Sequence, residues 1–139
     1  MKAYVGDELR DLTAEEVAEV EAGRAADLAA YVNQRRWELE TGGIEVAGAP
    51  IRTDEKSQAK IQGAFQLAQQ DSGVEIDWEA QPGQWVTLDA PTMIGIGLAA
   101  ARHVQRCFSA ARQVGEMVTA GELRTREQVD AAFAAALEE

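Results

Sequence analysis

Cysteine and histidine are nearly absent from the sequence. Among 139 residues there is one of each, Cys107 and His103. A lone cysteine excludes a disulfide within the chain. A structural zinc site takes four nitrogen, sulfur or carboxylate ligands, and these two residues would leave half of the coordination sphere to Asp or Glu, which is an uncommon set. We therefore expect no metal site. No other cofactor is indicated, because no glycine-rich phosphate loop directly follows a predicted strand.

Long apolar runs and an excess of positive charge are also missing. The nearest apolar stretch, residues 93–101, falls well short of the ~18 uninterrupted residues that span a bilayer, and the first residues lack the apolar segment of a signal peptide. We therefore expect a chain made in the cytoplasm with no membrane partner. The 24 acidic residues outnumber the 13 basic ones, for a net charge of −11. Such a surface repels phosphate groups, so nucleic acid is not expected as a partner.

What is present is typical of one folded domain. A chain of 139 residues is long enough for one hydrophobic core and too short for two full domains. Hydrophobic residues make up 46% and charged residues 27%, close to the averages for globular proteins. We predict a single domain over residues 1–139. Composition by itself points to no particular function.

Two helices and a short hairpin are predicted for the first half of the chain. Thr13 and Glu16 match a capping box, and a three- and four-residue apolar period predicts a helix over 14–40. A short hairpin over 44–53 follows, with its turn at Gly48-Ala49-Pro50. Thr53 or Asp54 then caps a helix over 54–70.

A second hairpin and two helices are predicted for the second half. Residues 74–88 alternate apolar and polar around a Pro82-Gly83 turn, which is typical of a β-hairpin with one face packed on helices. A long helix over 91–118 carries an apolar stripe that includes Leu98 and Phe108, and small residues make its first half slim. A second capping-box pattern opens a helix over 125–137. The fold class is therefore α+β, with long helices packed on one or two short antiparallel hairpins.

Four residues are candidate interface contacts. Arg24 and Arg35 fall inside the apolar stripe of the first helix. Either their stems lie along the core with the guanidinium heads reaching solvent, which we favour, or they meet carboxylates of another element or chain. Trp37 projects away from that stripe, and Trp85 stands on the return strand of the second hairpin. An exposed indole is a common interface anchor, although a contact within the chain could equally cover Trp37.

Candidate catalytic residues are scarce. His103 and Cys107 stand four residues apart on one predicted helix and could pair as base and thiol. His103 lies off the apolar stripe, where an exposed imidazole is expected, and no oxyanion pocket or orienting group is evident. We assign no catalytic residue. The carboxylates of Glu75, Asp77 and Glu79 are expected on the solvent face of their strand.

Several motifs in order resemble one family. They are Thr41-Gly42-Gly43-Ile44, Thr53-Asp54 with Ser57-Gln58, Trp78, Gly83-x-Trp85-Val86-x-Leu88, and His103-Val104-Gln105-x-Cys107-Phe108. Together, over about residues 28–120, they resemble a domain-of-unknown-function family encoded by tailed bacteriophages and prophages near tail-fibre and tail-assembly genes.

The resemblance implies a role in a phage tail and supplies no catalytic residues. It predicts a non-enzymatic structural or accessory protein of the tail fibre or distal tail. Its partners would be other tail proteins and further copies of itself, and it would reside in the virion. A tail-fibre assembly chaperone that leaves before the particle matures is the alternative. A small enzyme or thiol switch at His103 and Cys107 is less favoured.

Overall fold

The computed structural model of the chain describes residues 1–5 and 8–138. It has the α+β architecture that the sequence predicts, with long helices and short antiparallel hairpins. The helices of the described residues are α1 Ala14–Glu40, α2 Glu55–Gln70, α3 Ala90–Thr119 and α4 Arg126–Leu137. The strands are β1 Lys2–Val5, β2 Glu8–Asp11, β3 Ile44–Val46, β4 Ala49–Ile51, β5 Glu75–Gln81 and β6 Gln84–Asp89.

The strands pair as three antiparallel hairpins within the described part of the chain, β1 with β2, β3 with β4, and β5 with β6. The β1–β2 hairpin has no counterpart among the predictions. The β3–β4 turn also differs from its prediction, because it lies at Ala47 and Gly48, and Pro50 is part of the returning strand. Both turn residues have positive φ, 52° and 82°. Positive φ at both residues gives a two-residue turn whose backbone twist matches that of the paired strands.

Side chains at the helix starts make the predicted caps, with one difference. Thr13 and Glu16 exchange both hydrogen bonds of a capping box at 3.1 Å. At the start of α4 the backbone N–H of Gln128 donates to the Thr125 hydroxyl. The side-chain oxygen of Gln128, however, accepts from the backbone N–H of Arg124 instead of that of Thr125. Only half of the second capping box is therefore formed.

The described chain divides into two compact units. One comprises residues 1–34 and 111–139, and the other residues 35–110, so that α1 and α3 each contribute to both. The single-domain organisation stays a prediction.

The unit of residues 35–110 is built around one apolar cluster, to which α2, α3 and two hairpins contribute. Ile76 is buried, and Trp78 and Leu88 pack against the cluster from the same face of the β5–β6 hairpin, as predicted. The buried members of the cluster are Ile51, Ile61, Ala68, Ile76, Ala90, Met93, Ile96 and Ala100.

Within the unit of residues 1–34 and 111–139, polar contacts connect parts of the chain that are distant in sequence. The Tyr31 hydroxyl donates to the Asp130 carboxylate at 2.7 Å, and the Arg126 guanidinium lies 4.8 Å from the Tyr31 ring centroid. Arg124 donates two hydrogen bonds to Glu21. The buried apolar residues of this unit are Leu28, Val32, Val114, Val118, Val129 and Phe133.

The buried stripe of α3 agrees only in part with the one that the periodicity indicates: Val118 is buried and Ile94 packs against the core cluster, but two large residues of the predicted stripe are exposed. Leu98 and Phe108, placed on the packing stripe, are 40% and 46% exposed. Met93, Ala100 and Cys107, seven residues apart, are buried instead. Both faces of this helix carry apolar residues, so the period alone does not determine which face is covered.

None of the helices in the described ranges has the length and apolarity needed to cross a bilayer.

Candidate interaction surface

The last turn of α1 is held by side chains from elements that are distant in sequence. A helix ends with carbonyl groups that have no partner inside the helix. The buried Thr53 hydroxyl donates to the Glu40 carbonyl at 2.7 Å and accepts from the Gly43 amide at 2.9 Å. The Gln58 side chain donates to the Thr53 carbonyl at 2.7 Å. Positions of the Thr41-Gly42-Gly43, Thr53-Asp54 and Ser57-Gln58 motifs thus meet at one structural junction.

His103 belongs to the same junction. Its Nε2 lies 2.9 Å from the Leu39 carbonyl oxygen. A carbonyl oxygen only accepts, so Nε2 must carry the proton. The imidazole is half-buried, where the sequence predicted an exposed one, because α3 lies against the end of α1 at this point. His103 therefore serves as a cap for α1.

Cys107 lies next to this imidazole but in a poor setting for nucleophilic chemistry. Its Sγ is 3.8 Å from Nε2 of His103, on the nitrogen that already donates to the carbonyl. The thiol is fully buried. Burial raises the pKa of Cys107, and the negative charge of Glu40 adds to the rise. A reactive thiolate needs the opposite conditions, a lowered pKa and access to solvent.

The predicted interface residues do not lie together on one surface. Trp85 is 65% exposed on the outer face of the β5–β6 hairpin. Trp37 is 52% exposed near the end of α1, and its Nε1 lies 3.5 Å from a carboxylate oxygen of Glu55 on α2. The indole thus combines an exposed ring with a weak contact inside the chain.

The two arginines of the α1 stripe have carboxylate neighbours on their own helix. The Arg24 guanidinium lies 3.8 Å from Glu21, and Arg35 forms an ion pair with Glu38. Both side chains are partly exposed, and these two ion pairs are made within α1. Nε of Arg35 is nevertheless buried.

The outer face of the β5–β6 hairpin is acidic. Glu75 pairs in register with Asp89, Asp77 with Thr87, and Glu79 with Trp85. These residues occupy the face opposite Ile76 and Trp78, which pack on the core. The carboxylates therefore lie on the solvent side of the ribbon. In the described ranges no three His, Cys, Asp or Glu side chains are grouped as they would be to hold a metal ion.

In the unit of residues 35–110 a groove of about 480 Å³ lies between α2 and α3. We call it the α2–α3 groove. Its α2 wall consists of Ile61 and Phe65 with three glutamines, Gln58, Gln62 and Gln66. This wall is apolar at its base and uncharged at its rim.

The α3 wall of the groove carries the exposed apolar residues of that helix. Its residues include Gly97, Leu98, Ala101, Val104, Gln105 and Phe108. Sequence analysis assigned Leu98 and Phe108 to the core and so missed the groove. The signal that could have found it is the second apolar face of α3, at Met93, Ala100 and Cys107, which makes the first face available for another contact.

Comparison with known proteins gives a family but no relative. A family model described as Domain of unknown function (DUF4376) matches residues 22–136. This is longer at both ends than the segment over which the motifs were recognised. Neither a curated protein nor a solved structure matched the chain. The family model covers most of the chain, including all four helices except the first part of α1 and the last residue of α4. The chain therefore belongs to the family of the domain of unknown function DUF4376.

Proposed function

We propose that this chain is a non-enzymatic protein of a tailed bacteriophage and that it acts through contacts with other tail proteins. In this proposal it is a structural or accessory subunit of the tail fibre or the distal tail and is present in several copies per particle. The resemblance of its motifs to phage-encoded proteins supports the setting. Membership of the family of unknown function leaves the activity open.

The observation that carries the proposal is the amount of large apolar surface on a strongly charged chain. Trp85, Trp37, Phe108 and Leu98 are between 40% and 65% exposed. Trp and other large side chains of this kind are enriched where proteins bind one another. The net charge of −11 keeps such a chain dispersed until a complementary surface is met.

The geometry at His103 and Cys107 favours a protein-binding role of the chain and argues against a role based on thiol chemistry. The protonated Nε2 of His103 is held by the Leu39 carbonyl and cannot take a proton from the thiol. The motif residues Thr53, Gln58 and His103 support the end of α1 instead of lining a cleft.

Mass spectrometry of purified virions tests the proposal. Peptides of this chain should be found in gradient-purified particles at a fixed ratio to a tail protein, and a non-virion phage protein should be undetected in the same sample. Trp85→Ala should lower incorporation, whereas Thr87→Ala, an exposed change on the same hairpin face, should not. Absence of the chain from intact particles would overturn the structural proposal.

A tail-fibre assembly chaperone is the second candidate, and the α2–α3 groove favours it. An open apolar groove with uncharged walls can hold a segment of a folding partner and release it. Co-expression separates the two roles. If a fibre protein becomes soluble only together with this chain and mature particles lack the chain, the chaperone role is correct.

A further inference from the structure

We propose that the free edge of β5 binds an extended segment of a partner protein as an added β-strand, with basic residues on the outer face of that strand. The inference rests on the proposed function only in taking the chain to be a protein that binds other proteins. It adds the surface used, the conformation of the bound segment and the sign of its charge.

A cavity of about 310 Å³ lies along β5, and we call it the β5 groove. Five consecutive residues of β5, at positions 76–80, line it. Successive side chains of a strand point to opposite faces, so a cavity that touches all five lies beside the strand and not over one face. The remaining lining residues come from the end of β4, from α2 and from β6, and they are Arg52, Ser57, Lys60, Ala64 and Trp85.

The edge of β5 along this groove carries backbone groups without a strand to pair with. A strand directs alternate N–H and C=O groups to its two edges, and β6 pairs with one of them. The sheet has two strands, so the other edge is free. In the ranges that the structure describes, the backbone of residues 76–80 makes no hydrogen bond outside the β5–β6 ladder. Backbone groups shielded from water need such a partner.

Burial distinguishes this edge from the free edge of β6. Residues 84–87 of β6 are all exposed, and water can pair with their backbone groups. Residues 76–80 of β5 are buried or half-buried except for Asp77. An extended segment supplies N–H and C=O groups at the spacing of a strand, whereas the groups of a helix are already bonded internally. The groove therefore suits a strand.

The length of the lined edge determines the size of the bound segment. At a rise of about 3.3 Å per residue, residues 76–80 extend over about 13 Å, and a segment of about five residues covers them. Its inward side chains would extend the apolar surface of Ile76 and Trp78, which belong to the inner face of the hairpin. The segment should thus alternate apolar and polar residues.

The outer face of the hairpin determines the charge of the polar positions. It is acidic on both strands, and its carboxylates are Glu75, Asp77, Glu79 and Asp89. The groups that bind Asp77 and Glu79 within the chain, the Thr87 hydroxyl and the Gly83 amide, are uncharged. An added strand places its outward side chains beside these two carboxylates, where opposite charge stabilises a cross-strand pair. Lys or Arg is therefore expected there.

The basic residues of the groove belong to its other wall. Lys60 is on α2, and Arg52 follows β4. Both elements pack on the inner face of the hairpin through the apolar cluster. These two cations thus come from the side of the ribbon opposite to the carboxylates.

The carboxylates also argue against a second copy as the occupant. Two β5 strands paired edge to edge would bring the acidic outer faces of both copies together. Like charges that lie opposite each other destabilise a strand pair. A different protein with a basic outer face has the complementary charge.

Fluorescence anisotropy with dye-labelled peptides tests the proposal on the full-length protein. The first peptide alternates valine and lysine and is long enough to pair with residues 76–80. The second has the same residues in an order without alternation, and the third alternates valine and glutamate. The net charge of −11 attracts the first two peptides equally. The β5 edge predicts that the first binds about tenfold more tightly than either of the others at low salt.

N-methylation of the first peptide tests the backbone contacts. The methyl groups remove the N–H donors and leave the side chains and the charge unchanged. Binding of the N-methylated peptide should be weaker by about tenfold or more, because the added strand can no longer donate hydrogen bonds to β5.

Amide hydrogen exchange followed by NMR locates the bound peptide. With the first peptide present, the amides of residues 76–80 that point away from β6 should exchange more slowly. The amides of residues 84–87, on the edge strand across the hairpin, should exchange as they do in the free protein.

Matched charge variants test the sign of the flank. Asp77→Asn together with Glu79→Gln should weaken binding of the first peptide about threefold to tenfold at low salt. Glu19→Gln together with Asp27→Asn is the control, since it removes the same charge from exposed positions on α1 and should have a much smaller effect. Circular dichroism confirms that each variant is folded.

Several outcomes would overturn the proposal. They are equal binding of the alternating and the scrambled lysine peptides, undiminished binding of the N-methylated peptide, slower exchange on β6 instead of β5, and equal effects of the two double variants. A dimer in native mass spectrometry whose β5 amides are protected before any peptide is added would show that a second copy covers the edge. These measurements use purified protein and peptides, so their failure is distinct from absence of the chain from virions, which would refute the structural role alone.

Discussion

Two glycines on α3, two residues apart, are expected to respond in opposite ways to the same substitution. A Cβ atom at Gly95 would meet nothing within 4 Å. A Cβ atom at Gly97 would overlap Cδ2 of Phe65 on α2 and would lie 2.7 Å from Cγ and 2.9 Å from Cβ of the same residue. Gly97 is therefore the point of close approach between the two helices.

The magnitudes follow from helix propensity and overpacking. Alanine is favoured over glycine inside a helix by about 0.5–1 kcal/mol, so Gly95→Ala should stabilise the fold by that amount. Gly97→Ala has the same gain but forces an extra methyl group into a filled space, at a cost of about 1–3 kcal/mol. Rotating the ring does not remove the overlap, because Cβ and Cγ of Phe65 are also too close. The two helices would have to separate.

Urea unfolding of both variants measures the difference. Tryptophan fluorescence reports on the unit of residues 35–110, because Trp37, Trp78 and Trp85 all lie in it. The two midpoints should differ by an amount equivalent to about 1–3 kcal/mol, with Gly97→Ala the less stable. In a Phe65→Ala background the difference should shrink, because two of the three short contacts are removed. A Gly97→Ala protein as stable as Gly95→Ala would refute the close approach of the helices.

Three further predictions concern the caps and the buried thiol. Cys107→Ser places a hydroxyl in a fully buried site and should lower the free energy of unfolding by about 1–3 kcal/mol. The native thiol should react with a thiol reagent only as the protein unfolds, and rapid labelling of the folded protein would contradict this. Thr53→Val removes the hydroxyl that binds the Glu40 carbonyl and the Gly43 amide and should lower the free energy of unfolding by about 1–3 kcal/mol. The exposed control Thr87→Val should change stability little. Equal urea midpoints for the two variants would argue against the cap. Hydrogen bonds from Arg10 and then from Thr13 lower the pKa of Glu16 from 4.5 to about 2, so the ionised carboxylate stabilises the fold above pH 4.5 and this contribution is lost as the pH falls towards 2. Glu16→Gln should flatten the acid side of the stability curve and Glu15→Gln should not, which thermal unfolding between these pH values can measure.

The local signals in the sequence predicted most of the elements. A capping box needs only Thr13 and Glu16 three residues apart, and both of its hydrogen bonds are formed. The Pro82-Gly83 turn and the alternation around it likewise give the β5–β6 hairpin with its predicted inner face. These features depend on neighbours in the chain, and so the sequence carries them.

The candidate site could not be predicted in the same way. Trp85 and Trp37 are exposed, as their positions suggested, but they do not line the α2–α3 groove. The groove exists because α2 approaches α3 at Gly97 and leaves Leu98 and Phe108 beside the contact. No periodicity in either helix encodes that approach.

The sequence by itself determined where the four helices and the β5–β6 hairpin lie, because caps, turns and alternation act between residues a few positions apart. The tertiary structure alone decided which face of α3 is covered and what His103 does. Both faces of α3 are apolar enough to pack, so the choice depends on the elements that meet it. The partner of His103, the Leu39 carbonyl, is 64 positions away in the chain, and only folding brings the two together.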